Sequence, residues 1–450
     1  MVHVAIIGNG ISGITAARLL RKESDCDITV ISSETPYFFS RTALMYVYMG
    51  QMKFEHTQPY ENTFWEKNRI HLVHDRVDSV DFGHKNLQLQ SGKNLNYDKL
   101  LIATGSKSNK FNWPGENLKG VQGLYSKQDL DLLEDNTHKF NTKKSEQRVR
   151  NAVIVGGGLI GVELAEMLVS RNIAVSFLVR ENRFWGNVLP KEESTLITNH
   201  LTKHGIRVKL NTELEAILPD ESGRVKEIRT TQGETISCEF VGLTPGVSPN
   251  IDFLKPSDLA IKRGIVVNRK LETNIPDVFA AGDCVQFSEP PTGRKEIEQV
   301  WYTGRMMGEV AAKNMLGKET EYSPGPWFNS AKLFDIEYQT YGTVPNEPKE
   351  GQEQFYWENS DSEKCIKVVF EKSTDTFIGI NSLGIRLRHE CFDAWLRQGR
   401  TVDYVMTHFR DALFDPELFK DEAPLIIKKF NSDMKRVIKP LKFNWKRIKI

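Results

Sequence analysis

An α/β chain that carries two copies of one strand–glycine turn–helix unit and ends in an α+β segment is the architecture to which three features of this 450-residue sequence point. The first is the stretch 151–163. There Val153, Ile154 and Val155 run into Gly156, Gly158 and Gly161, and Val162, Ala165, Leu168 and Val169 continue at helical spacing. The second is its repetition 148 residues earlier, with Gly8, Gly10 and Gly13 on the same spacing and Ala17 and Leu20 falling on Ala165 and Leu168. The third is a change of pattern after residue 326. Aromatic and β-branched runs at 333–344, 365–370 and 377–381 read as antiparallel sheet, and two or three helices close the chain.

The glycine spacing carries chemistry. In G-x-G-x-x-G between a strand and a helix, the first glycine makes the tight turn and the second lets backbone approach a pyrophosphate. The third lets the helix pack on the strand, and unpaired N–H groups at the helix N-terminus face the phosphates. Two copies of the unit imply an internal duplication and two bound dinucleotides.

Composition sets the bounds. Hydrophobic residues make up 39% and charged residues 26%, as in a globular protein, and no run of about 18 apolar residues occurs to span a membrane. A strand beginning at residue 3 leaves no space for a leader peptide. The five cysteines (26, 238, 284, 365 and 391) are scattered and fit no C-x-x-C or zinc spacing, so neither a disulfide framework nor a metal site is expected. A reducing cytoplasm fits this usage, and no nucleic-acid partner is expected. The net charge of +1 hides an asymmetry: residues 425–450 sum to +8, so the remainder is mildly acidic at −7.

Taken in order, the first unit continues through a helix to about residue 22 and a strand over 27–32. Glu34 follows, an acid placed to accept both hydroxyls of an adenosine ribose. Residues 35–46 mix aromatics with Arg41. Strands are expected at 70–74 and 85–90, and a buried strand ends in Ala103-Thr104-Gly105, where small residues permit close approach of a ligand. Residues 126–150 read as a helix and linker. The second strand of the second unit ends in Val179, Arg180, Glu181 and Arg183, so that an apolar residue and then arginine stand where the first unit offers Glu34. Arg180 and Arg183 suit the 2′-phosphate of NADPH, and Glu181 suits NADH. Hairpin-like strands run to about 250, residues 278–284 form a strand containing Gly282 and Asp283, and a helix covers 302–316.

With these residues in place, the chain resembles the two-dinucleotide flavoproteins of the pyridine nucleotide–disulfide oxidoreductase superfamily. Gly8, Gly10, Gly13 and Glu34, then Ala103-Thr104-Gly105, then Gly156, Gly158 and Gly161, then 279–283 (Phe-Ala-Ala-Gly-Asp) match its motifs in order. The resemblance implies FAD on the first glycines, Glu34 and Asp283, NADH or NADPH on the second glycines, and Glu163 near the nicotinamide ribose. Residues 36–44 and 326–330 are similar to the rubredoxin and ferredoxin reductases and to the nitrite reductase flavin subunit. Those reductases place the aromatic segment that contains Phe328 near the flavin, and the aromatics beside Arg41 could frame its ring. Tyr46 stands where many relatives have lysine, and Asn329 where they often have tryptophan. The disulfide-reducing branches place cysteine near residues 40–50, a stretch that has none here.

The expectation is therefore an FAD enzyme with Glu163, Tyr46 and Arg41 as candidate catalytic residues, passing electrons from NAD(P)H to an external acceptor. A small carrier such as rubredoxin or ferredoxin comes first, a quinone or small oxidant second, and a redox-controlled flavin-binding scaffold is the alternative of another class. The expected parts are an FAD domain over 1–125 and 251–325, an NAD(P) domain over 126–250 and a C-terminal α+β interface domain over 326–450, with a homodimer implied by the resemblance. In the tail, Leu425, Ile426, Phe430, Met434, Val437 and Ile438 share one helical face ringed by lysines, up to Pro440. That face could dock on its own body, capture an acidic partner or contact an anionic membrane surface.

Overall fold

The computed structural model describes residues 1–137, 149–414, 418 and 420–442, which form two compact units. The first comprises 1–150, 217–226 and 238–324; the second comprises 151–216, 227–237 and 325–450.

The first unit is organised on a five-stranded parallel sheet in the order Val278–Ala280, Lys99–Ile102, His3–Ile7, Asp27–Ser32, Ile70–His74. Ala5, Ile6, Ile28, Leu100 and Leu101 are fully buried, as the centre of a sheet covered on both faces requires. The crossover helix Ile11–Glu23 packs on helix Trp301–Met315. They approach closely because Gly308 lies under Ser12, where a Cβ would fall 2.3 Å from the Ser12 carbonyl oxygen. A three-stranded antiparallel sheet (Val77–Asp81, Asn86–Leu89, Asn94–Asn96) is appended. Helix Lys127–Thr137 covers the helical part of the expected 126–150 segment; 138–148 lie outside the described residues.

The second unit repeats the parallel motif, with Asn151–Val155 beside Ala174–Leu178 and Arg207–Lys209 beyond, and helix Leu159–Ser170 between the first two. Its other half is a five-stranded antiparallel sheet in the order Phe328–Leu333, Ile336–Gly342, Phe377–Leu383, Cys365–Glu371, Gln352–Glu358. Two details differ from the sequence reading. The expected run 333–344 is interrupted by a two-residue turn at Phe334 and Asp335. Strand Gln352–Glu358 went unread because three of its first residues are Gln or Glu, although Phe355 and Trp357 are buried.

The basic tail also differs. Helix Ala423–Asp433 buries Ala423, Ile426, Ile427 and Phe430, with the Phe430 ring 5.1 Å from Phe355, but it leaves Leu425 exposed. The helix ends at Asp433, short of Pro440, because Lys435 takes φ +53° and Asn431 bonds both the N–H and the carbonyl of Ile438, at 2.7 and 2.9 Å. Arg436 then pairs with Asp375 at 2.6 Å and Asp403 at 3.5 Å, and Val437 points to solvent. Over these residues the tail docks on its own unit; 443–450 lie outside the described residues.

Candidate dinucleotide sites

In the first unit the glycine turn is built as its spacing requires. Gly8 adopts φ +112° and donates to Ile31 O at 2.8 Å; a side chain there would put Cβ 2.2 Å from Ala103 O. At Gly13 a Cβ would lie 2.0 Å from Gly8 O, so the helix can start this close to the strand only with glycine. Gly10 faces open space, and no side chain caps the helix it begins. Uncapped amides above a turn with open space at Gly10 fit a pyrophosphate.

Sequence reasoning singled out Glu34, Arg41 and Asp283 separately, and the structure brings them into one network, with the 103–105 turn beside it. Arg41 donates two bonds to Glu34, at 2.8 and 2.6 Å, and a third at 2.7 Å to the Tyr125 carbonyl. Its guanidinium lies 4.5 Å over the Tyr125 ring. Glu34 also accepts from the Lys127 N–H at 2.9 Å, at the start of helix Lys127–Thr137, where a carboxylate is favoured. On the far side of Tyr125, its hydroxyl accepts from Ser106 N at 3.0 Å. Ser106 Oγ donates to Asp283 at 3.2 Å and accepts from Gln299 at 2.7 Å. Burial pushes the Asp283 carboxyl up to about 6, against the lowering pull of Ser106, Arg41 and Tyr125. Gly282, beside it, has φ +86° and lies under Ser12. Thr104 donates to Asn250 O at 2.8 Å, and Gly105 accepts from Asn250 N.

Asn9 escaped the sequence reading although it sits between the two glycines. It is buried, donates to Thr35 O at 2.8 Å and accepts from Ser32 at 2.9 Å, tying the glycine turn to the loop that bears Glu34. Tyr125, Ser106 and Gln299 escaped too. Each is isolated in sequence, and only the fold assembles them. Tyr46 lies partly exposed on the short helix Leu44–Tyr48.

In the second unit Gly156 has φ +114° and donates to Leu178 O at 3.0 Å, Gly158 opens an uncapped helix into free space, and Gly161 is buried. This second cradle fits a second pyrophosphate by the same test. Glu163, one turn into the helix, has no hydrogen-bond partner among the described residues. Burial and then the neighbouring Glu166 charge raise its carboxyl to about 7. The lysine pairing open to such a helix carboxylate goes instead to Glu166, which Lys332 reaches at 2.5 Å. Arg180 is 71% exposed and pairs with Glu181 at 3.1 Å, whereas Arg183 is ion-paired with Glu347. Phe328 packs 4.3 Å from the His389 ring.

Two glycine cradles, each with an acid just beyond its second strand, Glu34 or Glu181, define a flavoprotein oxidoreductase that uses FAD together with NADH or NADPH. The chain belongs to the pyridine nucleotide-disulphide oxidoreductase family, whose sequence model matches residues 2–308. It is 27% identical over 391 residues to an NADH-rubredoxin oxidoreductase of Clostridium acetobutylicum, covering 86% of this chain and 93% of that one. It is 28% identical over 447 residues to an NAD(P)H coenzyme A polysulfide/persulfide reductase of Pyrococcus horikoshii, covering 94% and 97%. In fold it is similar to a ferredoxin reductase of Rhodopseudomonas palustris, with a TM-score of 0.76 at 22% identity over 95% of this chain and 99% of that one.

Proposed function

We propose that this enzyme takes a hydride from NADPH and passes the electrons to a small iron-containing carrier protein of the rubredoxin or ferredoxin type. The first cradle, Glu34 and Asp283 would hold FAD, whose chemistry when bound would match a two-electron donor to a one-electron acceptor. The observation that carries the choice of acceptor is the stretch 40–46, Ser-Arg-Thr-Ala-Leu-Met-Tyr, which offers no thiol for a disulfide or persulfide. Three of the five cysteines support this. Burial pushes Cys284 up to about 11 and Cys391 up to about 12 and holds Cys365 far above its ordinary range, so these thiols stay protonated and unreactive. The rubredoxin-linked name of the Clostridium relative points the same way.

Within this reading, 1–125 with 251–325 form the FAD domain, 126–250 the NAD(P) domain and 326–450 an interface domain of a cytoplasmic homodimer. Exposed Leu425 and Val437 among lysines support a peripheral membrane contact by the tail. In the first unit Tyr46 and Arg41 are proposed to serve FAD, and in the second Glu163 is proposed to serve the nicotinamide nucleotide.

The test is steady-state turnover of FAD-loaded enzyme with each nucleotide against rubredoxin, ferredoxin, quinones, oxygen, disulfides and coenzyme A persulfide. Fast reduction of an iron protein is expected. Turnover confined to disulfide or persulfide, and lost on replacing the cysteines, sinks the proposal in favour of the chemistry named for the Pyrococcus relative.

A further inference from the structure

Away from the dinucleotide cradles, the second unit gathers two imidazoles and a carboxylate. His200 and His204 stand four residues apart at the end of helix Lys191–Lys203, a spacing that puts both rings on one face. Both Nε2 atoms converge on one oxygen of Asp335, His200 at 2.6 Å and His204 at 3.1 Å. The three ligand atoms lie within 4.8 Å of one another. Asp335 is held there by its turn. It follows Phe334, whose φ of +59° is rare for a bulky side chain and is maintained because the ring is buried and stacks on His204 at 4.6 Å.

We propose that His200 Nε2, His204 Nε2 and Asp335 bind one divalent transition-metal ion of the zinc class. Two imidazoles and a carboxylate are borderline ligands suited to zinc and poorly suited to magnesium, and three protein ligands leave a tetrahedral ion one open position. Asp335 is 72% exposed, so that position faces water. Glu363 adds negative field at His200, with Lys203 3.8 Å from it as counter-charge. Binding the ion requires both Nε2 atoms free of a proton, so each neutral ring would carry its single proton on Nδ1. Among the described residues His200 Nδ1 is buried without a partner, so the outer support that strengthens tight zinc sites is lacking there, and the site is exchangeable rather than permanently filled. Its effect is mechanical: the ion clips the end of the helix that follows the second dinucleotide strand to the hairpin at 334–335, closing a loop of more than a hundred residues.

The experiment uses full-length, FAD-loaded protein stripped with chelator, titrated with zinc chloride by calorimetry and by thermal melting, with magnesium chloride in parallel. Expected are one zinc per chain, a melting temperature that rises with zinc, and no response to magnesium. His204→Gln and Asp335→Asn change partly exposed groups outside both cradles. They should keep FAD and dye reduction while weakening zinc binding about tenfold or more. No zinc uptake by the wild type, an equal response to magnesium, or unchanged affinity in both variants overturns the site.

Discussion

The two glycine units begin almost identically and end differently. Gly8 and Gly156 take φ +112° and +114°, and each donates to a carbonyl on the following strand, Ile31 or Leu178. Gly10 and Gly158 both open uncapped helices into free space. Counted from those two carbonyls, an acid stands three residues on in each unit, Glu34 and Glu181. The constant sequence offset of 148 obscures this, because the second loop is one residue shorter. Glu34 is fixed by Arg41 and by the Lys127 N–H, while among the described residues the Glu181 carboxylate pairs with the exposed Arg180 alone. The backbone thus builds the same cradle twice, and the two units part at the strand end: a fixed acid in one, an exposed Arg–Glu pair in the other.

The largest expected effect comes from breaking the turn itself. Gly8→Ala forces a Cβ against Ala103 O and an alanine into positive φ, the latter alone costing about 1–3 kcal/mol. The purified variant should lack flavin absorbance and melt well below wild type. A flavin-replete Gly8→Ala protein would mean that the turn is not where FAD depends on the fold.

A matched pair then separates the cradles. Gly10→Ala and Gly158→Ala both add a methyl to open space, so neither should unfold its unit. The first should weaken FAD retention and the second should leave FAD bound while raising KM for the nicotinamide nucleotide, each by about tenfold, or about 1.4 kcal/mol. Loss of FAD in the Gly158 variant would reverse the assignment of the two sites.

At the strand ends the contrast predicts nucleotide choice. The exposed Arg180–Glu181 pair is worth little by itself, so either partner can turn to the ligand. A guanidinium bond to a 2′-phosphate is worth about 1.5–3 kcal/mol, so Arg180→Ala should lower kcat/KM for NADPH roughly 10- to 100-fold and spare NADH. Glu181→Gln should shift the ratio further toward NADPH. A wild-type preference for NADH that Glu181→Gln abolishes would transfer the role to the acid.

Why some of this was readable from sequence and some was not follows from where the constraints act. Gly8, Gly13 and Gly156 are dictated by local backbone geometry, so their spacing survives as a motif, and buried strands such as 99–102 announce themselves by continuous apolar runs. Arg41 on Glu34 spans seven residues and was open to suspicion. Tyr125 linking Arg41 to Ser106, Ser106 holding Asp283 and Asp335 meeting His200 join side chains up to 177 positions apart, and no periodicity encodes them. The His200–His204 spacing was visible, but without its third ligand it resembled any helix face. The tail misled for another reason: its apolar spacing continues to Ile438, while a side-chain clamp by Asn431 ends the helix earlier.

The smallest expected effect tests the second helix against the first. No acid stands in the first turns of helix Ile11–Glu23, whereas Glu163 sits one turn into its counterpart with its carboxyl raised to about 7, first by burial and then by Glu166. A carboxyl whose folded value exceeds its ordinary 4.5 binds protons more tightly in the folded state. Its contribution to stability is therefore full below 4.5 and is lost as the pH climbs from 4.5 to about 7, after which the deficit is constant. Glu163→Gln, which cannot ionise, should melt like the wild type under acidic conditions and gain on it with rising pH. The carboxyl is partly open to solvent, so the gain should be a degree or two, about what a fraction of a kcal/mol produces in a domain of this size. Thermal melts of the FAD-loaded protein without nucleotide, followed across this pH range, decide the matter. An advantage for Glu163→Gln that is largest at acidic pH, or a deficit at every pH, would show that Glu163 is held as a charged group by partners other than those seen here.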